Sequence, residues 1–220
     1  MRSALREALG VLWPVACAGC GTVDVAVCGA CAALLLGEPV REQLDGLPLV
    51  AAAVYRDEVR SLVAATKEHG GRAGVRALAA GLALAVAAAP EGTLVRVPSS
   101  REGMRRRGFD PVALVLRGAG LPSTALRRMP GVATAGTQKE RSVQERALAV
   151  QGTLALAPRD ARRLAGHPVV LIDDVVTSGA TVREGLRALR AAGCRPVAIV
   201  AVARTPRFMP DACPRPGGEG

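Results

Sequence analysis

Aromatic side chains make up only 2% of this 220-residue chain. The core must therefore be built from Ala, Val and Leu, which fill helices and parallel strands but give little surface for stacking bases. Histidine is equally scarce. His69 and His167 each stand alone beside Gly or Pro, so no His pair is available to a metal and each reads as a loop residue. Lysine is confined to Lys67 and Lys139. There is no internal repeat, no Gly-x-Gly-x-x-Gly fingerprint and no nucleophile-elbow motif. The most membrane-like run, Ala77 to Ala89, is shorter than the roughly 20 residues a crossing helix needs and reads as a buried helix. Met1 to Gly10 is charged and polar, and no long apolar region with a cleavage site follows. A cytoplasmic protein with no membrane partner is the expectation.

What is present is apolar and basic. Apolar residues reach 50%, and the formal net charge is +10, carried almost wholly by Arg. Such a charge attracts phosphates or nucleic acid, although an Ala- and Arg-rich composition also arises from coding bias. The length permits one α/β domain with a small appendage.

Four of the six cysteines fall in one short window. Cys17-Ala18-Gly19-Cys20 and Cys28-Gly29-Ala30-Cys31 form two C-x2-C knuckles. Zinc takes four tetrahedral thiolate ligands readily, and a set complete in protein sulfurs makes the ion structural. A pair of disulfides or redox-active dithiols is the alternative, and the reducing compartment argues against it. Cys194 reads as a packed thiol and Cys213 as incidental.

Beyond the knuckles the pattern predicts a helix over Ala32–Leu36, a polar linker over Gly37–Pro48 and a strand over Leu49–Tyr55. Helices over Arg56–Glu68, ended by Gly70-Gly71, and over Ala73–Ala89 follow. Next come a strand at Leu94–Val97, a helix at Pro111–Gly118, a helix at Ser142–Val150 and a short strand at Leu154–Leu156. From Pro210 the tail reads as disordered. The expected fold is α/β, with a mostly parallel sheet flanked by helices. The expected division is a knuckle region 1–45, a main domain 46–209 and a tail 210–220.

The sharpest feature runs from Val169 to Ala203. Val169-Val170-Leu171-Ile172 is a strand apolar on both faces. Asp173 and Asp174 follow at its carboxyl end, then Val175-Val176-Thr177-Ser178-Gly179-Ala180-Thr181. A helix over about Val182–Ala192 and a strand over Pro196–Ala203 complete a β-α-β unit. In such sheets ligands sit outside the carboxyl ends of the strands, where a helix amino terminus offers unpaired N–H groups to a phosphate. The hydroxyls of Thr177, Ser178 and Thr181 add donors. Two carboxylates beside a phosphate cradle suit vicinal ribose hydroxyls, or a divalent metal such as Mg²⁺ bridging to a diphosphate. Plain helix capping is the alternative, and it needs one such residue rather than five.

Val169 to Thr181 resembles the 5-phosphoribosyl-1-pyrophosphate (PRPP) signature of type I phosphoribosyltransferases. The resemblance implies that Asp173 and Asp174, the catalytic candidates, hold the ribose 2- and 3-hydroxyls, and that Val176 to Thr181 wrap the 5-phosphate. The four-cysteine knuckle joined to such a domain resembles the ComF family of competence-related proteins. Tyr55-Arg56, Lys67 and Gly70 are similar to that family's segment after its first strand. Val97-Pro98 and Arg105-Arg106-Arg107-Gly108-Phe109 are similar to its Val-Pro and Arg-Arg-Arg-Gly-Phe-Asn-Gln stretch. Thr137-Gln138 and Glu145-Arg146 are similar to its later stretch. Asp110-Pro111 stands where Asn-Gln is usual, and Ala149 where Asn is usual.

On this resemblance Pro98, Ser99, Ser100 and Arg101 form the diphosphate-facing loop, with Arg105, Arg106 and Arg107 neutralising charge. Arg127, Arg128, Lys139 and Arg141 fall in the region of a mobile active-site loop. The implied ligand is PRPP or a similar nucleotide, with a nitrogen nucleophile as acceptor. The implied partners are single-stranded DNA and a helicase-like competence protein, and a homo-oligomer is admitted. A non-catalytic PRPP or nucleotide sensor, and a plain nucleic-acid binder, stand as alternatives to an enzyme.

Overall fold

A computed structural model describes residues 15–129 and 152–206. The readings at Ser142–Val150, Thr137-Gln138, Lys139, Arg141, Glu145-Arg146, Ala149, Cys213 and the tail from Pro210 lie outside those residues.

After the knuckle come α1 (Gly29–Leu36), β1 (Val40–Leu44), β2 (Leu47–Val54), α2 (Asp57–His69), α3 (Arg72–Ala87) and β3 (Thr93–Arg96). Then follow α4 (Arg101–Arg107), α5 (Pro111–Gly118), β4 (Thr124–Ala125), β5 (Arg127–Arg128) and β6 (Leu154–Ala155). The described chain closes with α6 (Pro158–Leu164), β7 (Pro168–Val176), α7 (Ala180–Ala191) and β8 (Arg195–Arg204). Six strands form one sheet in the order β1-β2-β8-β7-β3-β4, and β5 with β6 makes a separate antiparallel ribbon. All neighbours in the large sheet are parallel except β1 with β2. The fold is thus α/β with a mostly parallel sheet, as expected.

The sheet is buried on both faces. Val170 and Ile172 of β7 point into a core shared with α1, α2, α3 and α5, and Val169 and Leu171 into a second core under α7. Alternation along a pleated strand explains the division. Without aromatic bulk, the layers close by direct approach. At Gly81 of α3 a Cβ would sit 2.7 Å from the Leu35 carbonyl oxygen of α1, so only glycine lets the knuckle's helix lie this close.

Three local readings change. Gly37–Pro48 is no linker: it holds β1 and half of a hairpin. Asp45 and Gly46 have φ values of 52° and 76°, the left-handed pair that a two-residue type I′ turn requires. The charges on β1 suit an edge strand. The arginine-rich run after Ser100 is a helix, because the Ser100 hydroxyl accepts from the Gly103 N–H at 3.0 Å and caps α4. Strand β7 continues to Val176, so the acid pair lies within it. Helix α6 was not expected from the pattern, although Pro158 at its first turn and Asp160 beside it are start signals. His167 lies in the loop before β7, and Cys194 is buried.

Candidate functional site

The acid pair lies near the carboxyl end of β7, before the buried Val176. Asp173 is 8% exposed. Its Oδ1 accepts the Asp174 N–H at 2.9 Å, and Asp174 Oδ1 accepts the Val175 N–H at 2.6 Å. Asp174 Oδ2 lies 2.7 Å from Lys67 Nζ, which arrives from α2. Burial, and then the adjacent Asp174 charge, push the Asp173 carboxyl up to about 8, against the pull of the Asp174 N–H and of Lys67.

The turn after β7 is fixed from beneath. Gly179 adopts φ +80°, and a Cβ there would also press on the Leu44 side chain of β1 at 3.1 Å. The buried Arg204 donates to the carbonyls of Val176 and Thr177 and pairs with Glu42 at 2.9 Å. Arg183 donates to the Ser178 carbonyl at 3.0 Å and to Asp45 at 3.0 Å. The turn's carbonyls are thereby held by cations. The first N–H groups of α7 have no acceptor within the helix, and among the described residues only that of Ala180 meets a side chain, the Ser178 hydroxyl at 3.4 Å. Thr177 and Ser178 are exposed, Ala180 is half-buried, and Val176 and Gly179 are buried.

A cavity of about 210 Å³ lies between the acid pair and the Pro98–Ser100 loop, and of the predicted phosphate turn its wall includes Thr181 but not Val176 to Ala180. Asp173, Asp174 and Thr181 face Pro98, Ser99 and Ser100 across it, with Lys67, Arg107 and Arg128 in its wall. Arg128 donates to the carbonyls of Ser99 at 3.0 Å and Pro98 at 3.1 Å. Burial lowers its pKa, and the Asp173 charge opposes that shift. Arg101 is exposed on α4 and is not part of the cavity wall, as are Arg105 and Arg106. Of the predicted arginine cluster the wall contains Arg107, whose buried Nε has no partner among the described residues.

Asp110, the residue that stands for an expected Asn, is tied into the same loop. Its Oδ1 accepts from the Ser99 hydroxyl at 3.3 Å and from the N–H groups of Val112 at 3.1 Å and Ala113 at 3.4 Å. Its Oδ2 accepts from Arg96 at 3.4 Å. Asp and Asn cap a helix equally well, so this exchange leaves the loop's anchor intact. The roles of Arg128, Arg204 and Glu42 as supports were missed from sequence. A charged residue closing an apolar strand, as Arg204 does, was the available signal.

At the other end of the chain the Sγ atoms of Cys17, Cys20, Cys28 and Cys31 lie within 4.8 Å of one another. A zinc ion with Zn–S bonds of about 2.3 Å would set tetrahedral sulfurs about 3.8 Å apart, and the Cys20–Cys28 separation is 3.6 Å. All four are free thiols. Backbone N–H groups point at the sulfurs, from Cys28 to Cys17 at 3.3 Å and from Cys31 to Cys28 at 3.5 Å. Burial and the neighbouring sulfurs push the Cys31 thiol up, while backbone N–H groups overcome burial at Cys17 and bring it down to about 6. Four sulfurs this close are placed to hold a metal ion, and the donor set fits a thiophilic divalent metal.

Residues 106–210 match the family model of the phosphoribosyl transferase domain. The matched stretch contains the acid pair, the turn and α7. Orotate phosphoribosyltransferase of Bordetella avium is 49% identical over 61 residues, 27% of this chain and 25% of that protein. The corresponding protein of Xanthomonas oryzae pv. oryzae is 51% identical over 49 residues, 22% of this chain and 20% of that protein. The chain thus spans about a quarter of the length of the curated relatives it matches. Adenine phosphoribosyltransferase of Leishmania donovani superposes with a TM-score of 0.43 at 18% identity, over 80% of this chain and 68% of that one, too loosely to argue from. Among the described residues no helix is long and apolar enough to cross a membrane.

The buried carboxyl has a consequence for stability. A folded-state pKa near 8 keeps Asp173 protonated where the unfolded chain, near pKa 3.9, has lost its proton. Stability contributed by this group therefore falls as pH rises from about 4 to about 8. Asp173→Asn is expected to unfold at a higher temperature than the wild type at about pH 9, with the gap closing near pH 4. Thermal unfolding followed by circular dichroism measures it, and no gap at pH 9 contradicts the environment described.

Proposed function

We propose that this chain binds PRPP through the cavity between β7 and the Pro98–Ser100 loop, and transfers the phosphoribosyl group to a nitrogen nucleophile. The observation that carries this reading is one cavity lined by both Asp173-Asp174 and Ser99-Ser100, with Arg107 and Arg128 between them. In this reading the N–H groups opening α7, with Thr177, Ser178 and Thr181, hold the 5-phosphate. Asp173 and Asp174 take the ribose hydroxyls. Arg107, Arg128 and the Pro98–Ser100 loop meet the diphosphate. The bond from C1 to the diphosphate oxygen breaks as the bond from C1 to nitrogen forms. In this reading the acid pair faces the sugar on which positive charge develops, and the arginines stabilise the leaving anion. A divalent ion such as Mg²⁺, arriving with the diphosphate, supplies further neutralising charge. The four sulfurs hold a structural zinc. The knuckle joined to this domain supports membership of the ComF family.

A second reading is a non-catalytic PRPP or nucleotide sensor in DNA uptake. Arg101, Arg105 and Arg106, exposed on α4 and outside the cavity wall, favour it, since they offer phosphate contacts without serving the ligand.

Two measurements test these assignments. Purified chain mixed with PRPP, Mg²⁺ and a panel of bases should bind PRPP and release diphosphate. The double variant Asp173→Asn/Asp174→Asn should bind about ten-fold more weakly or worse, the scale of losing hydrogen bonds to charged groups. Binding without release moves the chain to the sensor reading, and wild-type binding by the double variant removes the site. For the knuckle, elemental analysis should return one zinc per chain, lost in Cys31→Ser together with a lower unfolding temperature. A metal-free wild type that unfolds at the same temperature contradicts the zinc assignment.

A further inference from the structure

Lys67 is one of two lysines in a chain with 29 basic residues, and it is the one that reaches the acid pair. Lys67 lines a small apolar cavity together with Val63, Pro111, Val112 and Val115, and its ammonium lies 2.7 Å from Asp174. The end of α2 that carries it is pinned. Gly70 closes the helix in the left-handed conformation, with its N–H bonded to the Thr66 carbonyl at 3.0 Å. Phe109 packs onto Gly70, where a Cβ would be 3.3 Å from the ring. The ion pair is only partly open to water, with side-chain exposures of 30% for Lys67 and 28% for Asp174. An ammonium is a compact point charge with three donors, whereas a guanidinium is a wide fork.

We propose that Lys67 is a positioning residue: a resident cation that holds Asp174 so that the acid pair receives ribose hydroxyls and recruits no divalent ion of its own. The inference rests on the reading of the cavity as a PRPP site. One oxygen of Asp174 accepts the Val175 N–H and the other meets Lys67. Mg²⁺ needs an oxygen ligand at about 2.0–2.1 Å with near-octahedral surroundings. An ion on Asp174 would therefore sit within a few ångströms of the ammonium, where like charges repel strongly. The other charges in the cavity wall, Arg107 and Arg128, add to that repulsion. Lone pairs left on both carboxyls still accept hydroxyl donors. Divalent metal is thus confined to the diphosphate side.

Mn²⁺, an oxygen-seeking ion that leaves thiolates to zinc, is the probe. Its binding to the ligand-free full chain is followed by electron paramagnetic resonance. Lys67→Met is expected to bind Mn²⁺ at least about ten-fold more tightly than the wild type. The gain should vanish in Lys67→Met/Asp174→Asn, and Lys67→Arg should match the wild type. Lys67→Gln serves as a second variant if Lys67→Met misfolds. Equal Mn²⁺ affinity in wild type and Lys67→Met, or a gain that survives Asp174→Asn, overturns the inference. Ribose 5-phosphate binding to the wild type, measured separately, decides the underlying PRPP reading. Its failure leaves the Mn²⁺ comparison to judge Lys67 alone.

Discussion

Two neighbouring carboxylates at the end of a buried parallel strand are costly, and the surrounding structure offsets that cost. Both ionised together in this setting would face desolvation and mutual repulsion at once. The chain meets the problem in two ways. Asp173, the more buried of the pair, is pushed toward the neutral form. Asp174 is paired with Lys67 at 2.7 Å. Arg107 and Arg128 complete a cavity whose balance is positive, suited to a multiply phosphorylated ligand. A site meant only to cap a helix would not need this arrangement.

The supports come from unexpected parts of the chain. The hairpin that follows the knuckle places Leu44 under Gly179, Glu42 against Arg204 and Asp45 against Arg183. The turn of the proposed phosphate cradle is therefore held by residues 130 or more positions earlier in sequence. The knuckle itself packs through Cys17, Cys31 and Leu35 into the core that also contains Ile172 of β7. The sulfur cluster and the strand that carries the acid pair thus share one hydrophobic layer.

Much of this was legible before the structure. The strand Val169–Ile172, the acid pair and the hydroxyl-rich turn announce themselves because buried parallel strands leave a continuous apolar run and helix starts need capping chemistry. The two C-x2-C pairs were equally clear from spacing. Other features were hidden. The Asp45-Gly46 turn was a readable hairpin signal, but the charged, apolar-poor strand before it disguised an edge strand as linker. The arginine-rich run looked like a loop because its polar sequence has no apolar stripe, and only Ser100 and Glu102 marked its start. The division of labour among those arginines, with Arg107 in the cavity wall and Arg101 outside it, depends on how α4 is rotated against the sheet. Spacing cannot supply that rotation. Lys67 pairs with Asp174 and Arg204 with Glu42 across long stretches of chain, and spacing does not reveal which partner such a residue meets.

The account stands on the claim that the opening of α7 holds a phosphate while Asp173 and Asp174 hold the sugar attached to it. Hydrogen exchange of the backbone amides at Gly179 to Val182, with and without ribose 5-phosphate, tests this most directly. The account predicts marked slowing at those amides with ribose 5-phosphate and a weaker effect with inorganic phosphate, which cannot engage the acid pair. Unchanged exchange at α7, or equal slowing by the two compounds, would contradict it.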